Sequence, residues 1–202
     1  MGRVITGITM SLDGFVAGPN DGLEKPLGDG GERLFKWYFS GDTEMRIPGA
    51  PVFKVSAKSA ELFQDAIKRT GAMVAGRRMF DIANGWGGNP PFAPCFVVTH
   101  TPPQEWVKEN SAFTFVTDGV ESAIRQAKQV AGDKDVAVAT ASITQQCLKA
   151  GLLDAIHIDL APVLLGSGVR LFDYLGIEPI ELESTQVVEA PSVTHLTFRV
   201  IK

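Results

Sequence analysis

Cysteine is scarce: Cys95 and Cys147 are the only two in 202 residues, and neither sits in a CxxC pair. That excludes a disulfide-stapled secreted scaffold and points to a reducing, cytoplasmic setting. Long apolar runs are missing too. None approaches the ~18 residues needed to cross a bilayer, so no membrane partner is expected. Positive charge is not in excess either, because 19 basic and 23 acidic residues leave a net charge of −4. Such a chain has no field with which to gather a nucleic acid. The histidines, His100, His157 and His195, lack metal-ligand spacing with either cysteine, and no metal is expected. Gly28-Asp29-Gly30-Gly31 and Gly166-Ser167-Gly168 both lack the third glycine of GxGxxG, and no GxxxxGK[ST] run occurs. The Rossmann fingerprint and the P-loop are thereby excluded. No GxSxG elbow with a neighbouring His/Asp set points to a serine hydrolase.

What is present is an ordinary globular balance, 45% hydrophobic and 21% charged, at a length that predicts one domain over residues 1–202. Val4 to Ser11 reads as a strand. Ala17 to Gly31, rich in glycine with Pro19, Asn20, Asp21, Pro26 and Asp29, reads as a long mobile loop, a candidate cover over a binding site. Glu32 to Phe39 predicts a short helix, and Ser40 to Pro51 a polar connection. Leu62, Phe63, Ala66 and Ile67 recur at helical spacing, with Ser56 or Ser59 as cap and Gly71 as left-handed stop. Short apolar strands are predicted at Ala72 to Ala75, Cys95 to Thr99, Phe113 to Val116 and Val136 to Ala139. Asp118 with Glu121, and Ser142 with Gln145, form capping boxes in front of two further helices. Ile156, Ile158 and Leu160 alternate as a strand, and Glu181 to Val188 with Val193 to Ile201 read as a closing hairpin. Alternation ending in a hairpin predicts an α/β fold, a mostly parallel sheet flanked by helices with an antiparallel C-terminal edge.

Ligands of such sheets lie beyond the carboxyl ends of the strands. There the sequence twice places a sharp turn before a helix. Gly76 permits close backbone approach, and Arg77 and Arg78 bring two guanidinium groups to a helix start, which suits phosphate. Thr140-Ala141-Ser142-Ile143-Thr144 offers small side chains and hydroxyls at a second helix start. Thr99-His100 ends a third strand on the same presumed edge. Two carboxylates stand apart as proton donors or acceptors: Asp13, at the end of the first strand, and Glu32, opening the short helix.

Ser11-Leu12-Asp13-Gly14-Phe15-Val16-Ala17, Gly76-Arg77-Arg78-Met79-Phe80, Phe96-Val97-Val98-Thr99-His100, and Gly151-Leu152-Leu153-Asp154 through Pro162-Val163-Leu164-Leu165-Gly166-Ser167-Gly168 with Leu171-Phe172 resemble the dihydrofolate reductase-like family. The branch is similar to the reductase domain of the bifunctional riboflavin-synthesis enzyme, and the likeness runs from Val4 to Val200. The resemblance implies a dihydrofolate reductase-like fold, NADPH as cofactor, and hydride transfer to a pteridine-like or ribosylaminopyrimidine-like small molecule. It places Gly76, Arg77, Arg78 and Met79 at the cofactor phosphates, and Thr99 and His100 at the adenosine 2′-phosphate. Val138 to Gln145, through Thr140, Ala141, Ser142, Ile143 and Thr144, fall at the diphosphate and nicotinamide ribose, with Ala17 and Gly18 over the nicotinamide. Glu32 is the nearest counterpart of the family's helix acid, with Asp13 or a bound water as the other proton sources. A homodimer is implied as well.

The chain departs from the family pattern in three places. Ala139-Thr140 stands where a Gly-Gly pair is usual, Ala155 where an acid follows Asp154, and His100 where arginine is common. The first departure keeps a second reading open: a module that binds NADPH or a similar nucleotide without turnover, as a sensor does.

Overall fold

A computed structural model describes residues 2–173, 175, 176 and 178–202. The chain opens with β1 (Val4–Ser11) and β2 (Phe15–Ala17), then a 3-10 helix over Gly31–Phe39 and the hairpin of β3 (Thr43–Arg46) and β4 (Val52–Val55). Next come α1 (Ala57–Arg69), β5 (Thr70–Gly76), α2 (Arg77–Ile82), β6 (Cys95–Val98), β7 (Phe113–Val116), α3 (Val120–Ala131), β8 (Asp135–Ala139) and α4 (Ala141–Lys149). The strands β9 (Ala155–Ala161), β10 (Val169–Arg170), β11 (Leu182–Ala190) and β12 (Val193–Val200) complete it.

Eight strands form one sheet in the order β11-β12-β9-β1-β8-β5-β6-β7. From β9 to β7 every pairing is parallel, and β12 runs antiparallel to both β9 and β11. Strand β5, flanked by β8 and β6, shows the layering. In β5, Ala72 and Val74 face one side and Met73 and Ala75 the other, and all four are buried, because helices cover both faces. On the first side α3 buries Val120, Ala123, Ile124, Ala127 and Ala131, a three-to-four-residue period, while α4 adds Ile143, Cys147 and Leu148. On the second side Phe80 of α2 packs with Cys95, Val97 and Phe113. Farther along that face Trp37, Met45, Val55, Ala60 and Val193 form a smaller core. Each fully buried Val, Leu or Phe contributes about 1.5–3 kcal/mol.

Several expectations change. The polar stretch after Ser40 contains β3, whose Met45 is buried against the aromatic core. Ser56 does cap α1, accepting from the Ser59 amide at 3.1 Å, but Gly71 is no helix stop. It lies inside β5, where an added Cβ would come within 2.8 Å of the Lys134 Cβ and 3.0 Å of the Ala131 Cα, so close packing is what demands glycine there. Neither capping box forms: Gly119 precedes α3 with no side-chain cap, and Thr140, not Ser142, caps α4.

The glycine-rich segment is not the slack loop its composition suggests. Gly18 N donates to Leu27 O at 2.9 Å, Asp29 N to Pro19 O at 2.7 Å, and Gly22 and Lys25 exchange backbone bonds at 3.0 and 3.1 Å. A Cβ on Gly28, whose φ is +70°, would stand 2.2 Å from Gly18 O. Glycine is needed there so that the two legs of a hydrogen-bonded hairpin can touch. Among the described residues no helix is long and apolar enough to cross a membrane.

Candidate functional site

Parallel pairing puts the carboxyl ends of β8, β5 and β6 side by side, so the turns that follow them share one edge. Gly76 is at the centre. A Cβ built on it would lie 3.4 Å from Thr140 Oγ1, Ser142 Oγ and Ile143 Cγ1, filling the space between the end of β5 and the start of α4. Arg77 ties in the third turn: its Nη1 donates to Thr101 O at 2.7 Å, while Thr99 Oγ1 donates to the same carbonyl at 3.0 Å. Arg77, Thr99 and Ser142 therefore lie on one edge.

Thr140 carries a backbone signature. Its φ of +96° and ψ of 148° belong to a region that is almost exclusively glycine's, so the chain keeps the conformation of a glycine with a threonine in place. The threonine hydroxyl caps α4 through the Ile143 amide at 3.5 Å and stands beside Gly76.

The other expected cofactor residues divide by side-chain direction. Ser142, Arg78, Met79 and His100 are exposed at the edge, and Arg77 is half-buried. Ala17 and Gly18 are buried at the base of the glycine-rich hairpin, Ala17 pairing with Val169. Three side chains face away from any ligand at that edge. Val138 and Ile143 belong to the core under α3 and α4, and Thr144 is fully buried, its hydroxyl 2.9 Å from that of Thr6 in β1. Ala141 is buried there as well. Gln145 bonds the Leu171 carbonyl at 3.0 Å, joining α4 to the segment after β10. For Val138, Ala141, Ile143 and Thr144, only the backbone is placed to serve a ligand. Strand alternation in β8 turns the Val138 side chain inward, and helical periodicity in α4 does the same for the other three.

Asp13 is corrected as a proton donor. Its carboxylate accepts from Ser11 Oγ at 2.6 Å, Gly166 N at 2.7 Å and Leu165 N at 3.1 Å. The serine bond first, then the two amides, hold it well below the usual carboxylate range, at about 2. An acid that stays ionised has no proton to give at neutral pH. Its role here is to fix the loop after β9 beside the turn after β1. Glu32 sits in the first turn of the 3-10 helix, exposed to solvent.

Behind that helix lies a buried polar chain that no local pattern announces. His195 Nδ1 of β12 lies 2.6 Å from Asp159 Oδ1 of β9, and its Nε2 lies 2.9 Å from Ser59 Oγ of α1. The ring meets Trp37 edge-on at 5.4 Å. Three segments 36 to 136 residues apart supply it, and only their register, His195 opposite Asp159, brings them together. Ser59 is 1% exposed, which leaves no approach for an acyl substrate. Burial pushes the thiols of Cys95 and Cys147 up to about 12, so neither is a nucleophile at neutral pH. Among the described residues no cluster of His, Cys, Asp or Glu is arranged to hold a metal ion.

The fold has solved relatives. A protein from Shewanella sp. PV-4 provisionally named for riboflavin biosynthesis shares 22% identity over 99% of both chains, with a TM-score of 0.72. Riboflavin biosynthesis reductase Rib7 of Saccharomyces cerevisiae superposes with a TM-score of 0.60 at 12% identity, over 99% of this chain and 90% of its own. Dihydrofolate reductase from Enterococcus faecalis, solved in complex with NADP(H) and RAB-propyl, gives 0.55 at 11% identity, over 98% and 97%. At these identities the likeness is one of fold, the dihydrofolate reductase-like α/β sheet with its antiparallel closing hairpin. No curated protein sequence matches this one. Residues 3–196 match the family described as the RibD C-terminal domain. With the sheet order, the shared strand edge and this match across nearly the whole sequence, the chain belongs to the RibD C-terminal domain family.

Proposed function

We propose that the chain, acting as one domain over residues 1–202, is an NADPH-dependent reductase of a pteridine-like or ribosylaminopyrimidine-like small molecule. Membership in the RibD C-terminal domain family supports a reductase role. The observation that carries the cofactor reading is the meeting of three strand ends at Gly76, where Thr140 and Ser142 face the glycine and two arginines follow it. The residues fit a phosphate-bearing ligand. A Cβ at Gly76 would fill the cradle, and hydroxyls, backbone amides and guanidinium groups are the donors phosphate requires.

Gly76, Arg77, Arg78, Thr99, His100 and Ser142, with the amides of residues 141 and 142, are the groups that would hold NADPH, which supplies the hydride. Ala17 and Gly18 form a wall at the hairpin base. Glu32 is exposed and can exchange a proton with solvent, and it or a water next to it is the proton source this reading retains. Asp13 contributes by holding the loop of Leu165 and Gly166 in place. The test is a thermal melt with NADPH or NADH, then loss of NADPH absorbance with pteridines and ribosylaminopyrimidines. A stabilising shift plus turnover supports the reductase, and no shift with either nucleotide defeats the cofactor reading. Thr140 favours a second reading, a nucleotide-binding sensor, because its side chain stands where the family has glycine. A shift with no turnover selects that one. A cytoplasmic homodimer belongs to the same proposal.

A further inference from the structure

The hairpin between Gly18 and Gly30 is held from within. Besides its backbone bonds, Asn20 donates to Asp29 at 2.7 Å and Lys25 pairs with the same carboxylate. It can therefore shift as a unit. Its tip reaches α2 through Asp21. Arg78 Nη2 donates to the Asp21 carbonyl at 2.7 Å and to Oδ1 at 2.9 Å, and Nε donates to Oδ2 at 3.3 Å. The Asp21 side chain is 17% exposed and that of Arg78 is 66% exposed, so the arginine end of this clasp is open to solvent.

We propose that Asp21 is a positioning residue that couples the glycine-rich hairpin to anion occupancy at Arg78. A guanidinium grips a phosphate in fork fashion through two neighbouring nitrogens. Here both Nη2 hydrogens and the Nε hydrogen already serve Asp21, so each two-nitrogen edge of the fork contains a donor in use. Phosphate takes a two-bond hold only by displacing Asp21. The anion and the hairpin tip then compete for one side chain, and linkage makes the effect reciprocal: what the clasp costs the ligand, the ligand costs the clasp. The inference rests on the reading of this edge as a dinucleotide site.

For an exposed ion pair the coupling amounts to about two- to fivefold in affinity. The test compares the wild type with D21N, R78A and E24Q. Glu24 is exposed in the same hairpin, so E24Q removes the same charge without touching Arg78. Dissociation constants for NADPH and for inorganic pyrophosphate are measured alongside ligand-free amide hydrogen exchange over residues 18–30. In D21N both ligands bind about two- to fivefold tighter and exchange accelerates. In R78A exchange accelerates too, yet both ligands bind more weakly. E24Q keeps wild-type exchange and changes affinity less than D21N does. Equal tightening in D21N and E24Q, unaccelerated exchange in D21N, or affinity in D21N no better than wild type overturns the coupling. Should pyrophosphate but not NADPH bind with these signs, the coupling stands and the dinucleotide reading falls. Should neither bind any variant, both fall.

Discussion

At Thr140 a side chain and a backbone conformation are in conflict. A residue held at φ +96° and ψ 148° costs about 1–3 kcal/mol unless it is glycine, and the cap the hydroxyl makes is long. Thr140→Gly therefore raises the denaturation midpoint, with a net gain of about 1 kcal/mol after the more flexible unfolded chain is counted. A midpoint equal to or below wild type contradicts this. Asp13 gives a residue-scale pH dependence. Its folded value of about 2 is below its ordinary 3.8, so the stability it confers is full above about 4 and fades as pH falls toward 2. Melting wild type and Asp13→Asn from pH 5 to pH 2 shows their gap closing over that interval, and a constant gap contradicts the assignment. Arg77 bonds both oxygens of Asp81, at 2.7 and 2.9 Å, as well as Thr101 O. Arg77→Ala raises the NADPH dissociation constant roughly tenfold, through the lost guanidinium and the freed turn together. An unchanged constant in calorimetry removes Arg77 from the site.

Among the elements, α1 is attached to the sheet in an unusual way. Most of its faces are polar or half-exposed, and its buried residues are Ser59 and Ala60. The Ser59 hydroxyl reaches the imidazole of His195, itself anchored by Asp159. One ring nitrogen thus faces the carboxylate and the other the serine hydroxyl. Ser59→Ala removes that partner and leaves a buried ring nitrogen unpaired, costing about 1–3 kcal/mol. Urea titration measures it, and a loss under about 0.5 kcal/mol, the level of an ordinary surface change, shows that the chain carries no stability. The hairpin from Gly18 to Gly30 is the counterpart at the functional edge: an element stiff inside, joined to α2 by one clasp.

For the molecule as a whole, the sheet is closed asymmetrically. The β7 end is covered by α2 and α3, whereas β11 is exposed along most of its length, with Leu182 and Val187 44% and 59% exposed. An open edge strand with apolar side chains is a pairing surface. We expect a homodimer formed there, with light scattering giving twice the chain mass and Val187→Lys shifting it toward the monomer. A monomeric wild type refutes this.

Much of the architecture follows from the order of residues alone. Alternating Ile156, Ile158 and Leu160, the runs at Ala72 to Ala75 and Val136 to Ala139, and glycines beyond the helices dictate strands and helices because periodicity and turn chemistry are local. The residues at the carboxyl edge, Gly76, Arg77, Arg78, Thr99 and Ser142, were legible for the same reason, as each follows a strand. Tertiary structure alone decided which of them are free to act. Thr144 and Val138 turn inward because the helix and sheet periods of their elements point them at the core. Asp13 becomes an anchor because two amides more than 150 residues away converge on it. Arg78 meets Asp21 across 57 residues, and Ser59 meets His195 across 136. A contact between distant segments has no local pattern to announce it; strand register and chain crossing create it, and those exist only once the sheet has formed.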